Sequence, residues 1–249
     1  MQNVSVAAEG SLGHPAIVGS AEIALVAGLV GDPARAAMLD ALMDGREHSA
    51  GELARRAGVT ASTASGHLSR LLAGRLVLCG VHGRERRYRL ASAEVAAAFE
   101  ALGRIAPAAE VRSLRAANRR AQLRVARTCY DHLAGWVGVS VTDALVARGA
   151  LVPQDGGYEL SAAGEKLLRR IGVDVAAARD RRRSFALACL DLTERRPHLA
   201  GALGAALADT AVANGWLLRR QNDRALTVTS AGRSALRREF GIDLDRLAA

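Results

Sequence analysis

Aromatic side chains are scarce in this 249-residue sequence, at 3% of the total. Its cores must therefore be built from Ala, Leu and Val, which pack helices closely but supply few large anchors. Lysine is almost missing, since every basic residue except Lys166 is Arg. Three cysteines, Cys79, Cys129 and Cys189, are too few for a disulfide framework, and reduced thiols are expected. No basic start followed by an apolar run opens the chain, so no secretory leader is expected. The longest apolar stretch, Ile23 to Val30, is too short to span a bilayer. Together these absences predict a cytoplasmic protein with no membrane partner. The sequence also lacks a glycine-rich phosphate loop, a Ser-His-Asp spacing and a zinc-protease motif, so an enzyme is not expected.

Positive charge, in contrast, is abundant and unevenly spread. The formal net charge is +9, yet residues 1–100 carry ten basic and ten acidic groups. Within them, residues 50–90 hold eight Arg against Glu52 and Glu85, and residues 101–130 hold seven Arg against Glu110. An Ala-, Gly- and Arg-rich composition can reflect a GC-rich genome, so the bulk charge says little. Its concentration in one stretch is what a nucleic-acid footprint requires.

The predicted fold class is mainly α with small β-hairpins. Residues 1–19, rich in Gly, Ser and Ala, read as a flexible arm. Residues 20–105 read as one domain. Asp32-Pro33 supplies an N-cap and a first-turn proline for a helix ended by Gly45, with Ala37, Leu39, Leu42 and Met43 as its buried stripe. Ser49-Ala-Gly-Glu52 is a capping box for a short helix that Gly58 stops. Thr60 or Ser62 caps a second helix running to about Ala73. Two short helices around a Gly-centred turn form a helix-turn-helix. Leu76 to Cys79 and Arg84 to Leu90 then read as strands of a hairpin, the wing. Ser92 caps the helix that follows. Residues 106–135 are expected to be one long connecting helix, from Glu110 to Gly135. It is either a solvated connector or a dimer-forming lever lying near DNA.

Residues 136–249 read as a duplicated, winged-helix-like effector or assembly domain. His132-Leu-Ala-Gly135 recurs as His198-Leu-Ala-Gly201, Asp143 as Asp209, and Gly149 as Gly215. Tyr158 to Gly164 matches Leu226 to Gly232, and Leu168-Arg-Arg170 matches Leu236-Arg-Arg238. Each copy reads helix, strand, tight turn, strand, helix.

On the helix 60–73, Leu68, Leu71 and Leu72 would be buried, leaving Ser62, Thr63, Gly66, His67 and Arg70 to face a DNA groove. Arg84, Arg86 and Arg87 of the wing would reach phosphates or the minor groove. The combination of Asp32-Pro33-Ala-Arg35, Ala64-Ser-Gly-His67-Leu, and Gly83-Arg84 through Tyr88-Arg-Leu90 resembles the ArsR/SmtB family of bacterial winged-helix repressors, over about residues 20–105. The resemblance implies a homodimer on a palindromic double-stranded DNA operator, repressing transcription until an effector releases it. The sequence departs from the family's metal-sensing pattern. No Cys lies in the helix near Glu52, and the helix after the wing has Glu94 and Glu100 but no His. Cys79 stands alone on a wing strand and reads as a small buried residue.

An effector site is therefore sought in the second half. Cys129 precedes His132 by three residues and would share a helix face with it. Cys189, in the helix before the second copy, lies nine before His198. The repeat could bring all four to one inter-repeat pocket. Cys and His are the ligands of a thiophilic metal or metalloid ion or of haem, and paired thiols also respond to oxidation. Arg127, Arg195 and Arg196 could lower the thiol pKa values. The alternatives are that these residues only pack the core, that an organic ligand binds beside Trp136, Trp216 or Tyr130, or that the winged helix binds protein instead of DNA.

Overall fold

The computed structural model describes residues 19–107, 110, 113–220 and 223–247. The expected arm 1–19 lies outside it except for Gly19. Helix α1 (Ser20–Val30) buries none of its residues. Helix α2 (Pro33–Leu42) starts where the sequence says it should: the Asp32 carboxylate accepts from Arg35 N at 2.9 Å and Pro33 takes the first position. Strand β1 (His48–Ser49) leads into α3 (Ala50–Ala57) through the full capping box. Ser49 Oγ accepts from Glu52 N at 3.2 Å, and Ser49 N donates to Glu52 Oε2 at 2.8 Å. Thr60, not Ser62, caps α4 (Ala61–Ala73). Strands β2 (Val77–His82) and β3 (Glu85–Leu90) form the wing, with a tighter turn than the sequence suggested, and β1 pairs along the other side of β3. Ser92 caps α5 (Ala93–Ile105). Met38, Leu39, Leu42, Met43, Leu53, Leu68 and Leu71 are buried here, while Ala37 and Leu72 are only half-buried. The result is a winged helix-turn-helix.

The long helix expected from 110 to 135 does not form. Helix α6 spans only Leu114–Val125 and buries none of its residues. The chain then becomes a hairpin of β4 (Arg127–Cys129) and β5 (His132–Ala134), with Tyr130 at φ 61° in its turn. The reason is tertiary. Thr128 N donates to Arg224 O and Tyr130 N to Met43 O, both at 2.9 Å. These distant carbonyls satisfy the backbone better than another helical turn would.

The second half of the chain runs through the same order of elements twice, with a hairpin before each run. The first copy runs α7 (Gly135–Ala147), β6 (Leu151–Gln154), β7 (Gly157–Leu160) and α8 (Ala162–Arg170), followed by the short α9 (Val175–Arg179). The second is led by β8 (Leu187–Leu190) and β9 (Pro197–Ala200), so the helix expected around Cys189 is a strand. It continues through α10 (Gly201–Ala213), β10 (Leu217–Arg219), β11 (Leu226–Val228) and α11 (Ser230–Ala235), which runs on as a π-helical turn, Leu236–Phe240.

The copies interlock. Strand β8 pairs with β7, so the second hairpin completes the first copy's wing as an antiparallel sheet, β6-β7-β8-β9. Reciprocally, Leu226 N donates to Ala126 O at 2.9 Å, laying the first hairpin against the second copy's wing. Helix α7 packs on β9 and α10 on β5. The two copies thus behave as a pseudo-twofold pair within one chain.

The hairpins turn into their helices at Gly135 (φ 76°) and Gly201 (φ 77°), where a Cβ would lie 2.7 Å from Arg124 O and from Ser184 O respectively. Gly135→Ala and Gly201→Ala are each expected to destabilise by at least about 1–2 kcal/mol, from left-handed strain and the clash. A Cβ on Gly66 meets nothing within 4 Å, so Gly66→Ala should leave stability equal or raise it by up to about 1 kcal/mol. Urea unfolding of the three variants checks the contrast; a Gly201→Ala protein as stable as wild type contradicts it.

Candidate functional site

Two places on the chain gather the candidate functional residues. The first is the exposed face of α4 and the wing beside it. Ser62, Thr63, Gly66 and Arg70 are exposed there, as expected. Ser65 and Ser69 are exposed with them, one helical step along, and their spacing from Ser62 was a readable signal. His67 is different. Its side chain is 14% exposed and its Nδ1 lies 3.7 Å from Asp32 Oδ1 and 3.4 Å from Arg35 Nη1. The imidazole is turned back on the start of α2, so it positions α4 and is not free to face a groove. On the wing, Arg84 and Arg86 are exposed. Arg86 Nε donates to Cys79 Sγ at 3.3 Å, and its guanidinium lies over the Tyr88 ring. Arg87 is half-buried, donating to Glu85 Oε2 and to the Glu47 carbonyl, both at 3.0 Å, so it ties the wing to β1 instead of reaching outward. Cys79 is half-buried on β2 and is not part of the group formed by the other two thiols.

The second place is where the two leading hairpins meet. Cys129 and His132 are cross-strand partners on β4 and β5, not neighbours on a helix. Cys189 and His198 are the matching cross-strand partners on β8 and β9. The pseudo-twofold relation brings all four together. Their ligating atoms lie within 4.8 Å of one another. The two sulfurs are 3.9 Å apart, and His132 Nε2 is 3.1 Å from His198 Nε2. Cys129, His132 and His198 are buried and Cys189 is half-buried.

Each imidazole has a carboxylate behind it. His132 Nδ1 is 3.4 Å from Asp131 Oδ1, and His198 Nδ1 is 3.1 Å from Asp191 Oδ2, an ion-pair contact off the hydrogen-bond direction. Sequence reasoning missed both acids. The signal was a repeated Cys-x-Asp, Cys129-Tyr-Asp131 and Cys189-Leu-Asp191, hidden because the two turns differ in length.

Residues 30–79 match the family described as "Helix-turn-helix domain". Over 222 residues, the chain is 41% identical to the uncharacterized HTH-type transcriptional regulator YdfF of Bacillus subtilis (strain 168), covering 89% of this chain and 98% of the relative. The chain belongs to the HTH-type transcriptional regulators. The matched residues 30–79 fall within the stretch whose sequence resembles the ArsR/SmtB family. Among solved structures, reduced HlyU from Vibrio cholerae N16961 is 32% identical, covering 34% of this chain and 90% of that one, with a TM-score of 0.32. The cadmium sensor CMTR from Mycobacterium tuberculosis is 36% identical, covering 36% of this chain and 93% of that one, with a TM-score of 0.30. No helix among the described residues is long and apolar enough to cross a membrane.

The electrostatics of the regulator's Cys/His cluster come from inside it. Arg127, Arg195 and Arg196 were expected to lower the thiol pKa values, but all three are engaged elsewhere. Arg127 pairs with Asp191, Arg195 donates to Arg104 O, and Arg196 pairs with Asp143. The Cys189 thiol is instead pulled well below its ordinary value by the hydrogen bond from Cys129 and by the two imidazoles, against the cost of burial. Cys129 is pushed up by that same contact and by its burial. Burial opposes charge on His198, but the Asp191 carboxylate and the Cys189 thiol beside it outweigh that cost and raise its pKa. The contact thus favours the thiolate at Cys189 and the thiol at Cys129. Cys189 should alkylate faster than Cys129, at a rate nearly flat between about pH 8 and pH 6, where an ordinary thiol slows roughly tenfold per unit. Mass spectrometry after limited alkylation reads this; equal rates at both thiols contradict it.

Proposed function

We propose that this regulator binds a palindromic operator as a homodimer, represses transcription, and is released when an effector engages Cys129, His132, Cys189 and His198. The observation that carries the reading is where these four residues sit. Cys129 and Cys189 pack against the core of the winged helix, and the turn between β4 and β5 is bonded to the end of α2 through Tyr130 N and Met43 O. An event at the cluster therefore acts directly on the element that supports the helix-turn-helix. In this reading Ser62, Thr63, Gly66 and Arg70 approach base edges and phosphates, Arg84 and Arg86 reach the backbone, and His67 and Arg87 hold those groups in place. Half-sites about 34 Å apart must be engaged together, so a small relative rotation of two recognition helices suffices for release.

A specific feature favours a second reading. A cavity of about 410 Å³ opens on the cluster, with Ala93, Ala97, Leu187 and Leu190 among its apolar walls and Tyr130 at its edge. A small organic effector fits that description. Of the three aromatic candidates only Tyr130 lines this cavity, while Trp136 and Trp216 pack on the core of the duplicated domain.

Operator fragments selected on the wild type and titrated with protein test the proposal. Arg70→Ala should cost about 1–3 kcal/mol of affinity and relax specificity at one position, whereas Arg84→Ala should weaken all sequences alike and lower the salt slope by about one. Zn(II), As(III), Hg(II), haem or oxidant should change the affinity of the wild type but not of Cys129→Ser/Cys189→Ser. If only an organic ligand changes it, the second reading replaces the first; if no DNA is bound specifically, both fall.

A further inference from the structure

The Cys/His cluster has a geometry more specific than "thiol sensor". A regular tetrahedral centre with Zn–S about 2.3 Å and Zn–N about 2.05 Å places its sulfurs about 3.8 Å apart and its nitrogens about 3.3 Å apart. The cluster holds its sulfurs at 3.9 Å and its Nε2 atoms at 3.1 Å. Both Nε2 atoms face inward, where only one of them can carry a proton, so the pair presents at least one lone pair to the centre.

We propose that Cys129, His132, Cys189 and His198 form a four-coordinate Cys2His2 centre for one divalent ion of the zinc–cadmium class, shared between the two repeats, with Asp131 and Asp191 as its positioning residues. This deepens the effector reading above and rests on it only for regulation, not for the site itself.

Charge, ligand number and space select the ion class. Two thiolates and two neutral imidazoles around a divalent ion sum to zero, which suits a centre where Cys129 is 2% exposed and His198 0%. An arsenic(III) centre prefers three thiolates, and only two sulfurs are within reach because Cys79 lies on the wing strand β2. A haem held by both imidazoles at once is excluded, since no porphyrin fits between nitrogens 3.1 Å apart. The carboxylates complete the pattern of a ligating histidine whose second nitrogen faces an acid, which fixes the ring and strengthens the donor. Asp191 is held by Gly135 N at 2.7 Å and Arg127 Nη2 at 3.0 Å, and Asp131 by Arg183, whose Nη2 lies 3.3 Å from Asp131 Oδ1. An entry path exists: the cavity at the mouth is lined by Cys129, His132 and Cys189, with the acids Glu94 and Asp131 among them. Once bound, the ion would cross-link hairpin β4–β5 to hairpin β8–β9 beneath the winged helix.

The test uses full-length protein, reduced and stripped with chelator, titrated with Co(II) as an optical probe. One equivalent per chain should give the intense visible bands of tetrahedral cobalt and a near-ultraviolet thiolate-to-cobalt band, both lost on adding Zn(II). Asp131→Asn should weaken Co(II) binding about 10- to 100-fold, with recovery in Asp131→Glu. Cys129→Ala and Cys189→Ala should weaken it further and reduce the thiolate band. A faint octahedral spectrum, no thiolate band, or unchanged affinity in the Cys variants overturns the centre. Operator binding in the same samples separates the two readings. A tetrahedral spectrum with unaltered operator affinity keeps the centre and removes its effector role. No cobalt binding, with operator affinity that responds to oxidant, removes the centre and keeps thiol sensing.

Discussion

A carboxylate taken wholly out of water must have its bonds replaced, and Asp191 has no exposure at all. Its oxygens accept from Gly135 N at 2.7 Å, Thr193 N at 2.8 Å, Arg127 Nη2 at 3.0 Å and Glu194 N at 3.1 Å. Arg127, 1% exposed, donates from Nη1 to Leu123 O and Thr193 Oγ1. These residues belong to both leading hairpins and to the starts of both the α7 helix and the β8–β9 turn. A buried pair of this kind adds little net stability over an apolar replacement, yet losing one partner costs about 3–5 kcal/mol. Its effect is to allow one arrangement of the two repeats. That arrangement sets the separation of the sulfurs and imidazoles, and it keeps the pKa of Asp191 far below the ordinary carboxylate range although burial alone would raise it.

A second buried ion pair ties the repeats to the winged helix. Arg224, at the second copy's wing, lies 2.5 Å from Glu100 Oε1 on α5 and 3.2 Å from Asp40 Oδ1 on α2. With Tyr130 bonded to Met43 O, the duplicated domain grips α2 and α5 from below. The helix-turn-helix is thus mounted on a stiff base, and the Cys/His cluster lies at the seam between mount and base. No rod of residues 110–135 joins the two parts; packed hairpins and buried charge do.

The positive charge read from the sequence divides into two kinds in the structure. Arg70, Arg84 and Arg86 remain exposed and available to an anionic partner. Arg35, Arg127 and Arg224 are buried and spent on internal carbonyls and carboxylates. Arginine suits both tasks because its planar fork satisfies several acceptors at once and stays charged when buried.

Local rules were enough for the first domain. The Asp32-Pro33 start, the Ser49/Glu52 box, Gly58 and the wing all act within a few residues, so the sequence by itself determined the winged helix-turn-helix and most of its exposed polar face. It also showed the duplication, because matched His-Leu-Ala-Gly segments need no structure to be seen. It named the four residues of the cluster but placed Cys129, His132 and Cys189 on helices. Only the tertiary structure decided that Cys129 and Cys189 lie on strands, that His67 and Arg87 turn inward, and that two acids stand behind the imidazoles. The reason is that β4 and β8 are extended by partners far along the chain, the carbonyls of Met43 and Arg224 for one and the wing of the first repeat for the other. Nothing within a helical turn of Cys129 or Cys189 encodes those bonds.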